Sequence, residues 1–254
     1  MNEPLDVAMD TAGIARITIN RPKRANSFDP ALATLLFEAL DWLANDPKVR
    51  VLVLLGSGRS FCAGLDLKAL PETMAGPYDE NYADALKFAK MLHRLHTMPV
   101  PTLAVVPGAA IGLGVGLVAC CDIALASEMA SFRFSEVRLG IVPAIISPYV
   151  ISAMGVRACQ RYFLSAETFD AAEAHRLGLV QMVASLENLG DAAGKIVAEL
   201  LAGKRDAQRA TKLLIEHVRQ SPLDEQLIED TARRLAEIRA TEQARSAVAE
   251  ALKR

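Results

Sequence analysis

Cys62-Ala63-Gly64-Leu65-Asp66-Leu67 and Gly108-Ala109-Ala110-Ile111-Gly112-Leu113-Gly114-Val115-Gly116 decide how this chain is read. Each follows an apolar run with strand character, 49–55 before the first and 102–106 before the second. Each then enters an apolar stretch that suits a helix. Small residues let a backbone come close to a ligand. Free N–H groups at a helix start favour negative charge. Two such turns facing each other would clamp one oxygen that becomes negative during a reaction, an oxyanion hole built of main chain.

Outward from these turns, short β-branched runs alternate with longer helical patterns. Strands are expected at 14–19, 49–55, 102–106 and 121–126, and helices at 30–44 and 79–96. Asp29 before Pro30 is a good N-cap, with proline at the first helical position. Such alternation implies β-α-β units with largely parallel pairing. After about residue 150 the strand signal fades. The stretches 189–201, 206–218, 223–240 and onward to 253 are rich in helix-forming Ala, Leu, Glu, Arg and Lys. The expected division is 1–198 for an α/β core and 199–254 for a helical region.

Bulk properties narrow the function classes. The chain has 254 residues, is 52% hydrophobic and carries a formal net charge of −2. Nothing in that balance favours a nucleic-acid or membrane-surface partner. No apolar run reaches the length of a membrane span, and no export signal opens the sequence. The four cysteines, Cys62, Cys120, Cys121 and Cys159, fit neither a disulfide framework nor a zinc site. Free buried thiols in a reducing cytosol are the expected state. A nucleophilic Cys62 would need a histidine nearby in the fold, and the sequence places none there. His93 and His96 lack a third ligand at metal spacing. The G-x-G-x-G run at 112–116 is a weak match to a dinucleotide turn.

Glu136 is the carboxylate that stands out. It follows Phe132-Arg133-Phe134-Ser135 and precedes Val137-Arg138-Leu139-Gly140-Ile141. A glutamate among apolar residues either sits on a solvated edge or is kept for chemistry. In an apolar pocket it holds its proton more tightly, so it can take and return one near neutral pH.

These pieces together resemble the crotonase superfamily, the enoyl-CoA hydratase/isomerase proteins. The resemblance begins at Ile19-Asn20-Arg21-Pro22-Lys23 and runs through Arg59-Ser60-Phe61-Cys62-Ala63-Gly64-Leu65-Asp66-Leu67-Lys68. It takes in Pro107-Gly108 with the glycine turn, Cys121-Asp122-Ile123-Ala124 and Phe132. It continues through 136–143 and 172–180. It implies an α/β fold with a ββα spiral core and a helical C-terminal oligomerisation region, as a homotrimer or a dimer of trimers. It implies an acyl-CoA thioester substrate whose oxygen meets the amides of Leu65 and Leu113, with Glu136 moving the proton. It places coenzyme A and acyl contacts at Lys23, Arg24, Ser27, Ala63, Gly64, Asp66, Leu67, Lys68, Gly112, Gly116 and Pro143. No metal, flavin or redox nucleotide is implied, coenzyme A being part of the substrate.

One position departs from the family's hydratases. They usually carry a second glutamate three residues after one glycine-turn amide, where this chain has Gly116. A single glutamate suits double-bond migration. The run 140–150, with 115–122 and 161–164, is similar instead to a subgroup that hydrates 3-substituted, methylglutaconyl-type thioesters, as in leucine breakdown, and also has glycine there. Hydration of such a substrate is the leading expectation. A Δ3–Δ2 isomerase or a non-catalytic acyl-CoA-binding relative are the alternatives. The missing side chain at Gly116 is expected to leave room for a branched or carboxylated acyl group, or for a water.

Overall fold

The computed structural model of the chain describes residues 3–253. It forms two compact units, Met1–Val197 and Ala198–Arg254. The first begins with a hairpin of β1 (Leu5–Met9) and β2 (Ile14–Ile19), which pair antiparallel. From β2 onward the chain winds in repeating turns. Each lays one strand into a large sheet, a second short extended segment into a smaller one, and a helix outside.

The helix after β2 is α1 (Pro30–Asn45), and the next large-sheet strand is β3 (Val51–Gly56). Then come α2 (Leu70–Ala75), α3 (Tyr78–His96), β4 (Thr102–Val106), β5 (Ala110–Ile111) and α4 (Leu113–Cys120). The following turn is β6 (Ile123–Ser127), β7 (Ser131–Arg133) and α5 (Ser147–Ser165). The unit ends with β8 (Phe169–Asp170), α6 (Ala171–Arg176), β9 (Met182–Ala184) and the start of α7 (Leu189–Ala202). The large sheet has the order β1-β2-β3-β4-β6-β9 and is parallel from β2 on. The small sheet is β5-β7-β8. Single parallel bridges, Phe28 to Leu65 and Cys62 to Ala110, carry its ladder back into the earlier turns.

Local chemistry explains these elements. Asp29 caps α1, its carboxylate accepting from the Leu32 amide at 2.9 Å. Leu32, Leu36, Leu40 and Leu43 fall on one face of α1 and are fully buried. That face packs on α3, which buries Phe88, Met91, Leu92 and Leu95. Each such side chain contributes about 1.5–3 kcal/mol by leaving water. Almost all of α4 is buried, which suits a helix apolar all round.

The sequence reading finds β2 and β4 at their observed limits but passes over β1, β5, β7, β8, β9, α5 and α6. Four of those strands are only two or three residues long, too short to show alternation. In α5 the helical pattern is cut by Gly155, whose φ of 77° lies outside the helical region.

The second unit contains α8 (Arg205–Gln220), α9 (Glu225–Arg239) and α10 (Glu242–Ala251). Asp224 and Thr241 cap α9 and α10. Leu213, Ile215, Leu223, Ile228, Val248 and Leu252 stay exposed. Among the described residues no helix is long and apolar enough to cross a membrane.

A polar clasp sits at the start of the β4–β6 ladder. The Asp122 carboxylate accepts from the Thr102 amide at 2.8 Å and its hydroxyl at 2.9 Å, while the Asp122 amide donates to that hydroxyl at 2.8 Å. Thr102 is fully buried. Thr102→Val keeps the shape and removes the hydroxyl that bonds both the carboxylate and the amide of the exposed Asp122, at a cost of about 0.5–1.5 kcal/mol. A lower urea midpoint with unchanged slope is the expected result, and an unchanged midpoint would refute the clasp.

Candidate active site

Three successive turns of the winding each deliver one group to the same place as they leave the small sheet. The first is Leu65. Phe28 donates to the Gly64 carbonyl at 2.8 Å and accepts from the Asp66 amide at 2.7 Å. In a parallel bridge of this pattern Leu65 turns its own N–H away from Phe28. The second is Leu113, first residue of α4, whose N–H has no acceptor within its own helix. Among the described residues neither amide has a hydrogen-bond partner. The third is Glu136, just beyond β7.

Backbone hydrogen bonds hold the three segments side by side. The Ile111 amide donates to the Cys62 carbonyl at 2.9 Å, and the Gly112 amide to the Arg133 carbonyl at 2.8 Å. Glycine is needed at both crossings. Gly64 has φ 88°, and a Cβ there would stand 2.8 Å from the Ile111 oxygen and 3.6 Å from the Leu113 nitrogen. Gly112 has φ 51°, and a Cβ there would meet Glu136 Oε1 at 2.8 Å. L side chains disfavour such φ values, so both space and conformation exclude them.

Leu65, Leu113 and Glu136 line one cavity of about 280 Å³. Its apolar wall includes Met74, Phe88, Val142 and Ile146. Asp29, Asp66 and Asp84 also line it. Each has a cation: Arg21 lies 2.8 Å from Asp29, Arg24 lies 2.7 Å from Asp66, and Lys87 lies 2.7 Å from Asp84. Among the described residues Glu136 has none, and its Oε2 is buried without a hydrogen-bond partner. Burial pushes its carboxyl above the ordinary glutamate value, against a smaller opposite pull from the Glu136 and Ser135 amides. Asp66 moves the other way. Burial would raise it, but the Lys68 amide and the Arg24 and Arg21 guanidinium groups outweigh burial and lower it.

Of the residues singled out in the sequence, Leu65, Asp66, Leu113, Glu136 and Pro143 line this cavity. Gly64 and Gly112 stand behind it as the crossings described above. Lys23, Arg24, Leu67 and Lys68 are exposed outside it. Ser27 is buried, and its carbonyl accepts from Arg21 at 3.0 Å. Ala63 ties its amide to the Ala25 carbonyl at 2.9 Å. Cys62 is fully buried, with its thiol pushed up to about 12 by burial and its sulfur 3.4 Å from the Gly64 amide. It acts as packing, not as a nucleophile.

The expectation for Gly116 requires correction. The space beside it is not open. A Cβ on Gly116 would stand 2.3 Å from Ile146 Cγ2 and 2.9 Å from Ile146 Cβ. Ile146 is buried and fills the room expected for an acyl branch or a water. Sequence reasoning also missed Asn26. Its side-chain amide donates at 2.8 Å to the carbonyls of both Ser57 and Ser60, and its oxygen accepts from the Arg21 amide at 2.9 Å. It pins the 21–27 loop beneath the first turn. A positive φ of 59° at this buried polar residue is a local feature no periodicity reveals.

The burial of Glu136 has a consequence for stability. Its carboxyl titrates above the 4.5 of an ordinary glutamate. Below that value it is protonated in both folded and unfolded chains, and ionisation costs nothing. Above the folded value it is ionised in both, and only the folded chain bears the desolvation. Glu136→Gln is therefore expected to raise Tm at pH 7, with a gain that vanishes by about pH 4. A Tm at pH 7 equal to or below the wild type would contradict the burial cost.

Comparison with known proteins agrees with this architecture. The family model described as enoyl-CoA hydratase/isomerase matches residues 9–253. The fold superposes on an enoyl-CoA hydratase from Shewanella pealeana with TM-score 0.95 and 33% identity, covering 99% of this chain and 94% of that one. A hydroxycinnamoyl-CoA hydratase-lyase of Pseudomonas fluorescens is 32% identical over 79% of this chain and 74% of its own. A 1,2-epoxyphenylacetyl-CoA isomerase of Escherichia coli K12 is 30% identical over 88% of this chain and 87% of its own. With a matched family model spanning nearly all of its length and this α/β spiral, the chain belongs to the enoyl-CoA hydratase/isomerase family of the crotonase superfamily.

Proposed function

We propose that this protein forms an enolate from an acyl-CoA thioester, with Glu136 as its only proton carrier, and that it moves a carbon–carbon double bond. One observation carries the reading. Of the four carboxylates that line the cavity, only Glu136 has a buried oxygen without a partner, and it stands beside the free amides of Leu65 and Leu113. Those two unpartnered N–H groups, both at this cavity, would stabilise the charge that develops on the thioester oxygen. The loss of one such donor costs about 3–4 kcal/mol in a transition state.

With a 3-enoyl thioester the steps balance without a co-reactant. Glu136 takes a proton from the α carbon, and the C–H electron pair moves into the thioester to give a dienolate. The protonated Glu136 then returns that proton to the γ carbon, and the double bond comes to rest between α and β. Its raised proton affinity suits both directions of transfer. Hydration is the second reading, favoured by the activity named for the Shewanella relative. It would need a water placed beside Glu136.

A methylglutaconyl-type substrate draws less support than the 140–150 run suggests. Its acyl carboxylate would enter a cavity where Asp29, Asp66 and Asp84 are each already paired with a cation, Glu136 is not, and no described lining residue is Lys, Arg or His. Like charges in a poorly solvated site repel. We therefore propose an uncharged acyl group. Coenzyme A phosphates would meet Lys23 and Lys68, both exposed and basic, outside the cavity mouth. The exposed apolar residues of α8–α10 would be covered by assembly of copies into a trimer. Light scattering that gives a monomer at micromolar concentration would reject that assembly.

Glu136→Gln is expected to lower turnover roughly 10²- to 10⁴-fold while acyl-CoA binding measured by calorimetry persists. In the wild type kcat/KM should fall on the acid side with a midpoint above 4.5, because Glu136 must be ionised to accept the first proton. Near wild-type turnover in the variant would remove Glu136 from the mechanism.

A further inference from the structure

We propose that Ile146 keeps water away from Glu136 and so sets whether this site migrates a double bond or hydrates it. This rests on the reading of Glu136 as proton carrier. Gly112 caps the start of α4 and Gly116 lies in its first turn, the Gly116 amide donating to the Gly112 carbonyl at 3.1 Å. Over Gly112 sits the Glu136 carboxylate, at 2.8 Å from where a Cβ would be. Over Gly116 sits Ile146, its Cγ2 at 2.3 Å from the corresponding point. The carboxylate and the isoleucine thus each cover one of two glycines joined by a hydrogen bond, and both line the cavity.

The position of Ile146 is fixed by backbone. It directly precedes α5, and its carbonyl accepts from the Val150 amide at 3.1 Å. The side chain is 1% exposed. A water needs two to four polar partners to stay in a site. Over Gly116, Ile146 offers none and occupies the volume that a water or a second acid would take. The same isoleucine forbids any side chain at position 116, so no acid or hydroxyl from α4 can hold a water there. Proton transfer from the α to the γ carbon consumes no water. Hydration adds a water oxygen to the β carbon and a proton to the α carbon, so it needs the molecule that Ile146 displaces.

The test compares Ile146→Thr with Ile146→Val. The two side chains have nearly the same shape and differ by one hydroxyl, so packing loss is common to both. Each variant and the wild type are assayed on 3-hexenoyl-CoA for migration and on 2-hexenoyl-CoA for hydration. The ratio of hydration to migration is expected to rise roughly tenfold or more in Ile146→Thr relative to Ile146→Val, and to stay near wild type in Ile146→Val. Equal ratios in the two variants would overturn the role of Ile146 while leaving Glu136 untouched. Full turnover of Glu136→Gln on both thioesters would instead overturn the proton carrier. As a check on packing, Gly116→Ala should lower Tm, and the loss should shrink in an Ile146→Ala background. A loss of the same size in both backgrounds would show that Ile146 does not fill the space beside Gly116.

Discussion

The site depends on a ladder of backbone hydrogen bonds that crosses successive turns of the chain. Phe28 to Gly64, Asp66 to Phe28, Ile111 to Cys62 and Gly112 to Arg133 are bonds of 2.7–2.9 Å between segments far apart in sequence. Each is an ordinary sheet contact. Together they fix the register of four turns, and register decides where each turn leaves the sheet. Leu65 departs three residues after Cys62, Leu113 two after Ile111 and Glu136 three after Arg133, counting along the sequence. A one-residue slip in any of them would turn the amide or the carboxylate to the other side. The amide donors are main chain, so they are positioned by the ladder and not by side-chain packing.

The same arrangement separates the carboxylates by role. Asp29 and Asp66 meet the guanidinium of Arg21, which is itself only 13% exposed. That shared cation and the Asn26 clasp lock the 21–27 loop to the first turn. Asp66 is held ionised by its partners, so it does not serve as a proton carrier at neutral pH. Glu136 lacks a cation and lies against apolar wall, and its proton affinity rises. Folding bears that cost because the rest of the unit buries a continuous core from Leu5 to Val180. A site group that destabilises its own fold is an expected mark of function, since nothing in packing rewards it.

Much of this was legible in the sequence, for physical reasons. Long strands and helices announce themselves by period, so β2, β4 and α1 with its Asp29 cap stand close to where residue pattern puts them. The two glycine-containing turns were legible because close backbone approach restricts residue type. Glu136 was legible through the family resemblance, since apolar neighbours alone leave a solvated edge equally open. The small-sheet strands were not legible, because two or three residues carry no period and their pairing is decided entirely by distant turns. Asn26 and Ile146 were invisible for the same reason. Their importance lies in contacts with residues about 30 positions away in sequence, Asn26 to Ser57 and Ile146 to Gly116.

Gly116 shows where residue type alone misleads. A glycine in a sequence reads as absent volume, and absent volume reads as room for a ligand. Interiors pack at close to crystal density, so volume missing from one residue is usually supplied by another. Here the supplier comes from the start of α5, and it is a branched apolar side chain. The chemistry therefore changes twice with one packing choice. No carboxylate stands at 116, and the place one would occupy is filled by an apolar side chain. On the proposed reading those effects act in the same direction, because a glutamate with neither a second acid nor a water in reach returns the proton it has taken. On this argument the pair Gly116 and Ile146 is one determinant, and neither position can be interpreted without the other.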